Sequence, residues 1–239
     1  MGLHNLDVET NSLKNLVVED CSDMVYITIS ANNLKSFWYD GVLPRIVRLR
    51  DVMSLVHVVL DLKHGPGSDQ FKFDEFLSNI LIFVKDVEVL TTSGWILEWL
   101  CSGGVIFGYL EFQFNKLKSL TWVDSLINKN KRDSIACFLN AFLLTLPLIV
   151  TSKRIDSNLN SIPRPYFHHC CHDFHLWMDF SSVRFSTSQL RYLKSVDFLG
   201  FSAKEDELLL MDLVLEKAIK LNSFTFNTHR KLKIDQPKL

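Results

Sequence analysis

The chain has 239 residues, of which 47% are apolar and 22% charged, with a formal net charge of −1. That balance excludes a disordered chain and provides no basic footprint for nucleic acid. The length suits one well-buried domain or one elongated stack of repeats. The five cysteines are odd in number and two are adjacent (Cys170 and Cys171), which points to a reducing compartment rather than a disulfide framework. No Asn-x-Ser/Thr acceptor and no signal peptide are read, so an intracellular setting, cytoplasmic or nuclear, is expected.

Residues 1–12 read as a short lead-in, with Leu3, Leu6 and Val8 as the remnant of a further rib. From residue 13 the apolar positions repeat. Leu13, Leu16, Val18 and Cys21 stand at the spacing L-x-x-L-x-L-x-x-C. Leu34, Phe37 and Tyr39 follow 21 residues on, and Leu55, Val58 and Leu60 another 21. Between the first two lie Met24, Ile27, Ile29 and Asn32, and a poorer fourth segment spans Ile46 to Leu49. Alternate apolar residues make a half-buried strand, and a Cys or Asn just beyond it can turn the backbone inward. The spacing predicts a 21-residue coil with a strand on each long side and no helix.

After the turn-rich His64 to Asp69, Phe73, Phe76, Leu77, Ile80 and Val84 fall at helical spacing, predicting a helix over about 70–83. Val84, Val87 and Val89 read as the next strand. Ser93 is a cap candidate for an apolar segment holding Trp95, Ile96, Trp99 and Leu100. Leu117, Leu120 and Trp122 restore the strand pattern. Ile135, Phe138, Leu139 and Phe142 make a helix after the cap candidate Asp133, and an apolar strand lies near 146–150. The apolar run from Ala136 to Val150 is broken by Asn140, Thr145 and Pro147 and falls short of the ~20 residues that span a bilayer.

Residues 151–189 lose periodicity and read as a loop or insertion, with strand-like residues near Val183 to Phe185. Leu193, Val196 and Phe198 form a strand, and a helix over about 204–219 has an acidic first turn that suits its dipole. Leu221, Phe224 and Phe226 form a closing strand, and residues 228–239 a frayed basic tail. The expected fold is α/β: a leucine-rich-repeat solenoid, a curved horseshoe, with β-dominated first ribs and strand–helix later ribs. Its regions are ribs over 13–150, the insertion over 151–189 and a strand–helix–strand over 190–227.

The order and spacing of these segments resemble the plant F-box/FBD/LRR-repeat proteins. The resemblance rests on Leu13 to Cys21, on Ile27 to Phe37, on Leu117 to Leu120 followed by Ser134 to Leu139, and on Leu193 to Phe201 with the acidic helix that runs to Ala218. The last stretch resembles the family's FBD region. The resemblance implies a surface that selects a protein for an SCF-type ubiquitin ligase. In the family an F-box of about fifty residues precedes the repeats and docks a Skp1-type adaptor. Here the first rib begins at residue 13, so no F-box and no adaptor binding are expected of this chain, and the alternatives are a stand-alone binding module that regulates full-length relatives or an inactive truncated product. An uncovered first rib is expected to self-associate through apolar surface.

With the leucines inward, the intervening residues are expected on the solvent side in three columns. One holds Val17, Trp38, Val59, Glu88 and Thr121, a second Glu19, Asp40 and Asp61, and a third Asn15, Ser36, His57 and Asp86. A partner site follows, with Trp38 as aromatic anchor and Glu19, Asp40, Asp61, His57 and Glu88 selecting a basic segment of a protein partner. The alternative is a solvated face with one exposed Trp, or a Trp that a missing N-terminal portion is expected to cover. His168, His169, Cys170, Cys171, His172 and His175 raise zinc, but no C-x-x-C or second ligand pair accompanies them, so no metal is expected. No phosphate loop, nucleophile elbow or zincin motif occurs. No catalytic residue, enzyme activity, cofactor, nucleic acid or membrane is expected.

Overall fold

A computed structural model describes residues 3–41, 44, 46–62, 80, 82–93, 96, 116–124, 127–141, 148–152, 184–185, 189–191 and 193–227. The chain forms two compact units whose main spans are Met1–Thr92 and Lys118–Leu232. Taken together the described residues are α/β, with parallel strands and few helices, and both named helices are in the second unit.

In the first unit β1 to β6 go alternately to two sheets. β1 (Asn5–Glu9), β3 (Tyr26–Ser30) and β5 (Ile46–Arg50) form a three-stranded parallel sheet, in the order β1-β3-β5. β2 (Asn15–Cys21), β4 (Ser36–Gly41), β6 (His57–Leu62) and β7 (Val89–Ser93) pair in that order, also in parallel. The two-track reading is thereby met: Leu16 pairs Phe37 and Phe37 pairs Val58, each 21 residues on. The lead-in is more than a remnant, because Leu6 and Val8 lie in β1 and pair with Ile27 and Ile29.

The inward residues of both sheets meet in one core. Ile27, Val47 and Leu49 from one sheet and Phe37, Tyr39, Val58 and Leu60 from the other line a single cavity of about 20 Å³. Its aliphatic and aromatic walls give a water too few polar partners, so it stays dry. Leu13 before β2 is half-buried, while the turn positions before β4, β6 and β7 are filled by Leu34, Leu55 and Val87, all under 8% exposed. At each of these the amide donates to the carbonyl three residues back: Leu34 to Ala31, Leu55 to Val52 and Val87 to Val84. Neither the Cys nor the Asn expected to turn the backbone inward is itself buried. Asn32 is exposed, and its neighbour Asn33 donates to the Asn11 carbonyl at 2.6 Å. The Cys21 thiol donates to the Glu19 carbonyl at 3.4 Å.

In the second unit β8 (Ser119–Asp124), β9 (Leu148–Ser152), β10 (Ser195–Leu199) and β11 (Ser223–Asn227) pair in parallel in that order. Leu120 pairs Leu148 and Ser195 pairs Ser223, in both cases 28 residues on. Helix α1 (Lys129–Ala141) lies between the first pair and α2 (Glu205–Lys217) between the second. The longer step is what a helix requires. α1 begins earlier than expected: Asn128 Oδ1 accepts from the Lys131 amide at 3.0 Å and caps it. Asp133, the expected cap, is inside the helix, where it pairs with Arg132 at 2.6 Å. Arg132 also reaches Asp206 of α2 at 2.9 Å.

The loop into α2 is organised by Glu207, which is 1% exposed. Its carboxylate accepts from the Ser202 amide at 2.9 Å and the Lys204 amide at 3.2 Å, satisfying donors at the helix start. Gly200 and Ala203 take left-handed φ values of 77° and 56° to make the turn. Arg184 and Phe185, expected near a strand, are helical instead. The insertion over 153–183, the His/Cys cluster, most of the 70–83 helix and the basic tail lie outside the described residues.

Candidate interaction face

The columns expected on the β2-β4-β6 sheet are in part formed and in part re-registered. Val17 pairs Trp38 and Trp38 pairs Val59, but Val59 then pairs Thr91, so Glu88 is not in that column. Asn15, Ser36 and His57 align, and the next member is Val89 rather than Asp86. The expected set Val84, Val87 and Val89 is three residues out of register: Val87 is fully buried at the turn position, and Leu90 and Thr92 pair with Val58 and Leu60. Asp40 pairs Asp61 as expected. Glu19 does not join them, because the register shifts between Val18 and Cys21, where Asp20 has φ 54°.

Burial differs from the expected solvent face. Trp38 is 8% exposed, Val59 1% and Asp61 5%, so Trp38 does not project as an anchor. His57, Asp40 and Glu88 are half-buried, and Glu19 alone of the six expected site residues is exposed. A parallel sheet is usually covered on both faces, and the near-continuous apolar run Val58-Val59-Leu60 of β6 is the mark of that. The Trp38 indole N–H is buried and has no acceptor among the described residues.

Where β2 and β4 end, the backbones approach closely. A Cβ at Gly41 would lie 2.6 Å from the Cys21 carbonyl oxygen and 3.1 Å from the Tyr39 hydroxyl, so only glycine fits. The Tyr39 phenol beside it is pushed up from its ordinary value, by burial first and then by Cys21 and Asp40. Burial lowers the His57 imidazole, which keeps it neutral. A protonated phenol and a neutral imidazole on separate faces form no acid–base pair. Among the described residues no group of three His, Cys, Asp or Glu side chains could hold a metal, and no helix is long and apolar enough to cross a membrane.

The face open to solvent is on the other sheet, which the sequence reading passed over. Its outer residues stand in three rows across the strands: Asn5–Tyr26–Ile46, Asp7–Thr28–Arg48 and Glu9–Ser30–Arg50. Asp7, Glu9, Arg48 and Arg50 are exposed and Tyr26 is 45% exposed, while Ile27, Ile29, Val47 and Leu49 point to the core. The strict alternation of Tyr-Ile-Thr-Ile-Ser and Ile-Val-Arg-Leu-Arg was the available signal. Compared with family models, with curated proteins and with solved structures, the chain has no match.

Proposed function

We propose that the chain is a leucine-rich-repeat interaction domain, a curved solenoid corresponding to the part of an F-box-type ubiquitin-ligase receptor that selects the protein to be modified. The observation that carries the reading is the 21-residue parallel register of β2, β4 and β6, with Phe37 and Tyr39 of β4 and Val58 and Leu60 of β6 turned into a shared core. The longer strand–helix steps of the second unit agree with the FBD-like resemblance of residues 193–218. Solenoids of this kind work by presenting side chains to another macromolecule rather than by chemistry. The small dry cavity and the neutral His57 are in keeping with that role.

The selecting surface in this reading is the exposed end of the β2 sheet, where Val17 is 37% exposed and Glu19 and Asp20 stand beside it. An apolar residue flanked by two carboxylates suits a basic segment of a protein partner. The test is to fuse the chain behind an F-box that binds a Skp1-type adaptor, express it in plant cells and map ubiquitin-bearing peptides. Proteins modified by the fusion, and lost when Val17→Asp and Glu19→Lys are introduced together, support the reading. A set no different from that of the F-box alone overturns it.

A further inference from the structure

We propose that the chain pairs with a second copy of itself through the outer face of the β1-β3-β5 sheet, the copies related by a two-fold axis running along β3. The inference does not rest on the ubiquitin-ligase reading. It rests on how charge is laid out on this face. The acidic residues Asp7 and Glu9 are on one outer strand, the arginines Arg48 and Arg50 on the other, and uncharged Thr28 and Ser30 between them.

Strands lie about 4.8 Å apart, so the acidic and basic columns are separated by about 10 Å across the sheet. Among the described residues none of the four charged side chains makes an ion pair with another group. The nearby polar groups are taken up otherwise. Ser30 donates to Asp51 at 3.0 Å on the rim beyond β5, and the His4 ring donates to the Asp23 carbonyl at 3.0 Å before β3. The charges of the face are therefore available to an incoming surface.

A two-fold dimer needs a surface that complements itself, since the same patch serves both partners. Rotation by a half-turn about β3 exchanges the outer strands, so β1 of one copy faces β5 of the other. Asp7 then stands over Arg48 and Glu9 over Arg50, and symmetry makes each pair twice. A half-turn about an axis across the strands would instead set carboxylate over carboxylate and guanidinium over guanidinium. The charge pattern selects the first arrangement and penalises the second. Tyr26 sits on the axis at one end of the face, beside half-buried Ile46, so the two phenol rings meet there as the apolar contact. Twist sets two such sheets about 30° apart, which keeps the central rows in register.

Five residues at about 3.3 Å on three strands about 4.8 Å apart cover roughly 240 Å² per copy, against about 800 Å² per partner in a standard stable interface. The dimer is accordingly weak and sensitive to salt. Sedimentation velocity of the full chain at low salt is expected to show reversible dimers that increase with concentration and disperse in about 0.5 M salt, where the Debye length is only a few ångströms. Two variants with faces of a single sign decide the geometry: Arg48→Glu with Arg50→Glu, and Asp7→Lys with Glu9→Lys. Each alone should remain monomeric, while an equimolar mixture, which restores all four facing ion pairs, should associate at least as tightly as the natural chain. Circular dichroism identical to that of the natural chain confirms that the variants fold. A natural chain that stays monomeric at low salt up to about 1 mM, variants that each dimerise like the natural chain, or a mixture that does not associate would each overturn the proposal.

Discussion

The two sheets of the first unit are woven from alternate strands of one stretch of chain, yet their outer faces are opposite in character. On β3 and β5 the outward residues are Tyr26, Thr28, Ser30, Ile46, Arg48 and Arg50, all half-buried or exposed and mostly polar. On β4 and β6 the outward residues include Trp38 and Val59, at 8% and 1% exposure. Both sheets have the same inward repeat, and the inward repeat fixes only the shared core. What distinguishes them is the residue set on the other side of the pleat. A strand whose outward positions are polar stays half-solvated, whereas one whose outward positions are apolar is covered. An L-x-x-L-x-L spacing therefore sets where a strand pairs without setting which of its faces is open.

The sharpest way to break this contrast is to truncate the middle outward residue of each sheet. Trp38→Ala should lower stability by about 3–5 kcal/mol, the range for removing a buried aromatic. Thr28→Ala, at the matching position of the open sheet, should change it by less than about 0.5 kcal/mol. Urea unfolding of both variants measures the difference, and equal losses would mean that the two faces are not distinct. Trp38→Phe should recover most of the loss, since it keeps a ring and removes an indole N–H that is buried without an acceptor among the described residues. Gly41→Ala comes next. Its methyl would meet the Cys21 carbonyl at 2.6 Å, and overpacking of that kind costs about 1–3 kcal/mol. On the open sheet, Ser30→Ala removes a hydrogen bond to Asp51 at an exposed site, with an expected loss of at most about 1 kcal/mol in the same measurement.

The periodicity carried much of the architecture. Leu16, Phe37 and Val58 are in the register their 21-residue spacing implied, and the 28-residue step from β10 to β11 is where it was expected. Two kinds of feature did not show. One was the register at β7, which sits three residues later than Val84, Val87 and Val89 implied, with Val87 buried at the turn position. The other was the state of the outer faces. Trp38 reads equally well as an exposed anchor or as a covered residue until its surroundings are known, and its burial moves the candidate surface elsewhere. The acidic and basic columns of the open sheet were written plainly in the sequence at Asp7, Glu9, Arg48 and Arg50. They gain meaning only once β1, β3 and β5 are known to be neighbours, because the residues are distant in the chain. The Glu207 cap is of the same kind: the acidic first turn was legible, but the reach back to Ser202 was not.

The finest difference between the sheets is a pH effect at His57. The residue lies in the outward row of the covered sheet, between Ser36 and Val89, and burial holds its imidazole below the ordinary value. The unfolded chain takes up the proton near pH 6.5. Between that pH and the lower folded value the unfolded state holds more protons than the native one, so stability rises with pH across the window. The contribution is complete above about pH 6.5 and is lost as the pH falls through the window below it. Urea midpoints at pH 7.5 and 5.5 should fall for the natural chain by more than for His57→Gln, with every other titrating group common to both. An equal fall in the two chains would show that His57 is as solvated as a residue on the open sheet, and that the cover over the β4-β6 face does not extend to its first row.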